Sequence, residues 1–124
     1  MGNNKFYDPK SIFTLSWSSS GPAAYAIALA DKTPVTGSYI AMSVFHPADL
    51  PLARAKGRTF YIEHSPEDQV CPFAMAEEAK AALEKQGAIV ELNSYGGGHG
   101  WQGNVFGRVR KGIDWLQEHP SPDN

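Results

Sequence analysis

The sequence predicts an α/β protein: a parallel sheet of about four strands with helices on both faces. Three observations carry that expectation. Short apolar runs rich in β-branched and aromatic residues alternate along the chain with alanine-rich or amphipathic stretches, the pattern of strands joined by helical crossovers. At 124 residues the chain holds one core and therefore one domain spanning 1–124. Its 42% hydrophobic and 19% charged residues are ordinary for a globular protein.

The elements follow in order. Residues 1–9 are polar and end at Pro9, which disfavours helix just before it. Ser11 to Trp17, with Ile12, Phe13 and Leu15, reads as the first strand. Gly21 to Ala30 reads as a helix whose alanines suit close packing on a sheet, with Tyr25, Ile27 and Leu29 among them. Gly37 to Phe45 is the second strand, and the Pro47 and Pro51 region an irregular crossing with a short helical turn over Leu50 to Ala55. Arg58 to Glu63 is the third strand. Phe73 to Lys85 carries Ala76, Ala79 and Leu83 at helical spacing and stops at Gly87. Ala88 to Ser94 alternates apolar and polar, as an outer strand does. Asn104 to Glu118 is the last helix, with Val105, Val109, Ile113 and Leu116 on its inner face.

The chemistry centres on residues 11–24. An apolar strand passes through Ser16, Trp17, Ser18, Ser19, Ser20 and Gly21 into a helix opened by Pro22. A serine at the apex of such a turn is a nucleophile elbow, whose strained backbone demands small residues two positions either side. Ser18 meets that demand, with Ser16 and Ser20 as flanks. Ser19 would place the Trp17 indole there, and Ser20 would place the Pro22 ring there.

A serine nucleophile needs a base, and the base needs a carboxylate to fix its tautomer. Two loops follow the third and fourth strands, where open α/β sheets place their sites. His64 to Pro72 offers Asp68, with Glu67 as the second-choice acid. Tyr95 to Trp101 offers His99 in a cradle of glycines. Trp17 and Trp101 flank the serine and the histidine; acyl-pocket lining and core packing are both open to them. Cys71, between Val70 and Pro72, reads as a small buried apolar residue. His64 receives no role.

These stretches resemble the α/β-hydrolase family, in particular small carboxylesterases and dienelactone-hydrolase-like esterases. That group carries Asp-Pro-Lys/Arg, an apolar strand and Gly-x-Ser-x-Gly-Gly; here stand Asp8-Pro9-Lys10, Ile12 to Leu15, and Ser16-Trp17-Ser18-Ser19-Ser20-Gly21. Serines replace the glycines at 16 and 20. The acid segment resembles His-Gly-x-x-Asp-x-x-Val-Pro, and the base segment resembles Gly-Gly-His-Gly. The resemblance implies a truncated α/β-hydrolase fold with a Ser18-Asp68-His99 triad in the family's order and the Ser19 backbone N–H in the oxyanion hole. It also implies a gap. The second oxyanion donor normally comes from a loop before the elbow, and loss of one donor costs about 100- to 1,000-fold in rate.

The expectation is a serine esterase acting on small short-chain esters, with no cofactor and no metal. A weak or inactive oligomeric binding module, and a peptidase or acyltransferase using the same triad, are the alternatives. The apolar first strand predicts a homodimer or higher homo-oligomer. Eleven Lys+Arg against 13 Asp+Glu, without a basic cluster, speak against nucleic-acid or membrane partners. The sequence shows no signal peptide or spanning segment, so a cytoplasmic location is expected. One cysteine forms no internal disulfide, and zinc on His64, Asp68 and His99 lacks the short spacing of a metal motif.

Overall fold

The computed structural model describes residues 12–18, 21–30, 33, 35–43, 52–96, 98–99 and 104–119. Strand β1 (Phe13–Trp17) leads into helix α1 (Gly21–Ala28), followed by β2 (Gly37–Ala41), a short 3-10 turn (Leu52–Arg54), β3 (Thr59–His64), α2 (Phe73–Lys85), β4 (Ile89–Ser94) and α3 (Val105–Glu118). The four strands lie in the order β1-β2-β3-β4, all parallel.

Side-chain alternation along the strands sorts the two faces. Ile40, Phe60, Ile62 and Val90 point to one side and pack under α1 and α2, against Tyr25, Leu29, Ala76, Ala79 and Leu83. Tyr39, Ala41 and Tyr61 point to the other side, under α3 and its Leu116, with Val109 and Ile113 packed against them. Both central strands are buried along their whole length. At 25 cal/mol per Å², each fully buried large side chain contributes on the order of 2 kcal/mol.

Gly112 sets the height of α3 over the sheet. A Cβ there would strike the Tyr39 ring and come within 2.8 Å of Tyr61 Cδ1. Those two rings stack with centroids 5.4 Å apart.

β1 is the sheet's edge among the described residues, and its Leu15 and Trp17 are 50% and 51% exposed. One expectation needs correcting. β2 stops at Ala41, since Met42 turns the chain with φ +56° and donates its N–H to Glu63 O at 2.9 Å. Of the remainder of that expected strand, Val44 and Phe45 lie outside the described residues. No helix among the described residues is long and apolar enough to cross a membrane.

Candidate active site

Ser18 follows the last residue of β1, three positions before α1 begins. Its φ is +52°, in the left-handed region that residues with a Cβ avoid, at a cost of about 1–3 kcal/mol. Ser16, two positions back, is buried.

Three side chains from three loops meet here. Ser18 Oγ lies 2.9 Å from His99 Nε2, and His99 Nδ1 lies 2.8 Å from Asp68 Oδ2. An ionised carboxylate only accepts, so Nδ1 carries the ring proton and Nε2 presents its lone pair to the Ser18 hydroxyl. That tautomer is the one needed to take a proton from serine.

The acid is held by its own loop. Asp68 Oδ1 accepts the Val70 and Cys71 N–H groups at 2.8 and 2.7 Å. Burial pushes the Asp68 pKa up, but hydrogen bonds from the Cys71 N–H, from His99 and from the Val70 N–H outweigh it, and the net shift is downward. The carboxylate is therefore charged wherever the fold is intact near neutral pH. Glu67, the second-choice acid, is exposed, and its backbone N–H bonds to Ser65 Oγ at 3.1 Å; Asp68 is the carboxylate facing His99.

His64 is a residue that sequence reasoning passed over. Fully buried, it donates from Nε2 to Cys71 O at 2.6 Å and lies 3.4 Å from Asp68 Oδ2. Its position four residues before the acid, across a turn, was the available signal. Cys71 is only partly buried, against expectation, and its contribution to the site is its backbone. Burial and the Asp68 charge raise its thiol pKa, which leaves it a poor nucleophile.

Behind the site lies a buried acidic side chain, Glu63, the penultimate residue of β3. Tyr39 donates its hydroxyl to Glu63 Oε2, Asn93 Nδ2 donates to Oε1 at 3.4 Å, and Arg108 Nε of α3 lies 3.0 Å from Oε1. The Arg108 guanidinium sits 4.5 Å over the Tyr95 ring, so the ion pair reaches the loop that carries His99.

A hollow of about 440 Å³ lined by Glu67, Gln69, Val70, Gly98 and His99 opens beside the histidine. Another of about 430 Å³, lined in part by Tyr61, Glu91 and Trp115, shares no residue with it. Trp17 is half exposed next to Ser18, so core packing does not describe it. Ser19 and Trp101, assigned to the oxyanion hole and the pocket, lie outside the described residues. Among the described residues no group of three or more His, Cys, Asp or Glu is disposed to hold a metal ion.

By sequence, no protein-family description matches the chain, and no curated protein matches it either. By structure it is similar to the Bacillus cereus carboxylesterase, with TM-score 0.67 and 20% identity over 92% of this chain and 52% of that one. It is similar to MGS-M1, an α/β-hydrolase enzyme from a Medee basin deep-sea metagenome library, with TM-score 0.69 and 16% identity over 90% of this chain and 56% of that one. Thermogutta terrifontis esterase 2, in its tabun-phosphoramylated form, gives TM-score 0.66 and 17% identity over 90% and 54%. The architecture is thus an α/β-hydrolase fold. The chain spans about half the length of the structures it matches.

Proposed function

We propose that this chain is a serine hydrolase, a carboxylesterase acting on small short-chain esters. The observation that carries the reading is the Ser18-His99-Asp68 hydrogen-bond chain with Ser18 in a strained turn. Ser18 Oγ attacks the ester carbonyl while His99 Nε2 takes its proton, and the tetrahedral intermediate forms. Collapse breaks the bond to the alcohol oxygen, which leaves with the proton from His99. Water then attacks the acyl-Ser18 ester, again losing its proton to His99, and the acid departs as Ser18 recovers its hydrogen. Asp68 stabilises the imidazolium and holds the ring. The Ser19 backbone N–H is the proposed oxyanion donor.

The open hollow beside His99, with its mixed polar and apolar lining, suits short water-soluble acyl groups better than long lipids. The edge position of β1 supports pairing of two copies there. The test is p-nitrophenyl acetate hydrolysis by wild type, Ser18→Ala and Asp68→Asn, purified identically. Ser18→Ala falls to the buffer rate, and Asp68→Asn, which favours the wrong tautomer, loses up to about 10⁴-fold in kcat if wild-type activity spans that range. Equal rates in wild type and Ser18→Ala would overturn the reading.

A further inference from the structure

We propose that Ser65 and Tyr95 are positioning residues that fix His99 by clamping Gly98 at both ends, an inference that rests on the hydrolase reading for its kinetic consequence but not for its geometry. Gly98 immediately precedes the base and adopts φ +78°, a conformation open to glycine and strained for other residues. A residue without a side chain has nothing of its own to hold that conformation. Here the neighbours hold it.

Ser65 is fully buried at the start of the acid loop, and its Oγ accepts the Gly98 N–H at 3.0 Å. The same oxygen accepts the Glu67 N–H at 3.1 Å, so one hydroxyl joins the turn leading to Asp68 to the loop leading to His99. On the other side, the Tyr95 hydroxyl donates to Gly98 O at 3.2 Å. That carbonyl belongs to the peptide linking Gly98 to His99. The Tyr95 backbone is tied to β3 through its N–H to His64 O at 3.4 Å, and its ring lies under the Arg108 guanidinium. The base is therefore held from three directions: its ring by Asp68, and the peptide that carries it by Ser65 and Tyr95.

The test compares wild type, Ser65→Ala and Tyr95→Phe by three measurements taken well below the unfolding temperature. The first is kcat and KM for p-nitrophenyl acetate. The second is the low-field proton NMR signal of His99 Nδ1–H, assigned by its loss in His99→Gln, with its solvent-exchange rate. The third is Tm, which reports on folding alone. Each variant is expected to lose about 10- to 100-fold in kcat, the scale of a sub-ångström to ångström displacement of a reacting group, with KM little changed. The Nδ1–H signal broadens or exchanges faster in both. A signal and a kcat unchanged from wild type in either folded variant would overturn the clamp. Should wild type itself prove no faster than Ser18→Ala, the hydrolase reading fails, and the NMR measurement still decides the clamp. If Ser65→Ala does not fold, Tyr95→Phe, which removes one hydroxyl, carries the decision.

Discussion

Ser18 and His99 stand 81 positions apart in the chain and 2.9 Å apart in space, and Ser18 reaches that position only by taking a left-handed backbone. The strain is separable from the chemistry. Glycine at 18 relieves a cost of about 1–3 kcal/mol and adds about 0.5–1 kcal/mol of backbone entropy loss on folding. Relief is the larger, so Ser18→Gly is expected to be more stable than wild type by about 1 kcal/mol while losing the nucleophile. A rise of a few degrees in Tm, read by calorimetry, checks this; a fall would mean the Ser18–His99 bond outweighs the strain.

The lowered pKa of Asp68 fixes the direction of an acid effect. A carboxyl whose folded pKa lies below its unfolded value stabilises the fold above the unfolded value and loses that contribution as pH falls through the folded one. With an ordinary value of 3.8, the loss begins near pH 4 and deepens below it. Asp68→Asn removes this dependence. Chemical denaturation at a series of pH values should therefore give a shallower acid slope for Asp68→Asn than for wild type.

Much of the fold was legible because periodicity and punctuation agree in this sequence. Ala76, Ala79 and Leu83 repeat at helical spacing and are buried, and the alternation of Ala88, Val90 and Leu92 marks the inner face of β4. The approach of Ser18, Asp68 and His99 was legible as well, since each ends or follows a strand at the same edge of a parallel sheet. What escaped was long-range polar pairing. Glu63 is one residue of an apolar strand, with nothing near it in the chain to mark its partners, yet it is fully buried against Tyr39 and Arg108, the latter 45 positions later. Ser65 escaped because its partners are backbone N–H groups, which leave no trace in residue identity.

Gly112 predicts a packing failure. Alanine is the better helix former by about 1 kcal/mol, but its methyl has no space against the Tyr39 and Tyr61 rings. Both rings are fully buried and stacked, so they cannot swing aside without opening the core. Overpacking of this kind costs about 1–3 kcal/mol. Gly112→Ala is accordingly expected to lower the urea midpoint; an increase would show that α3 shifts freely on the sheet.

Removing one partner of the buried ion pair tests whether Glu63 is charged in the fold. Arg108→Met keeps much of the apolar stem and leaves the carboxylate facing Tyr39 and Asn93 alone. Stranding such a charge costs about 3–5 kcal/mol. Adding Glu63→Gln to Arg108→Met should recover a large part of that loss, since the amide needs no counter-charge. A double variant no more stable than Arg108→Met would indicate that the arginine acts through packing on Tyr95 rather than through charge.

The last prediction concerns the open side of the sheet. β1 pairs with β2 through Phe13 to Trp17 and shows no partner strand on its other side among the described residues. Leu15 on the strand and Ile27 on α1 are each 50% exposed. A twofold axis beside β1 would bring the same strand of a second copy alongside in antiparallel register, pairing backbone groups along the edge and bringing the two copies' Leu15 side chains toward one another. Burying one leucine side chain contributes about 1.5–3 kcal/mol, and a symmetric contact counts it twice. Wild type is therefore expected to be a dimer by light scattering at high micromolar concentration. Leu15→Lys, which places two like charges across the axis, should shift it to monomer without unfolding it. A wild-type monomer at that concentration would refute pairing through β1, and a dimer indifferent to Leu15→Lys would place the interface elsewhere.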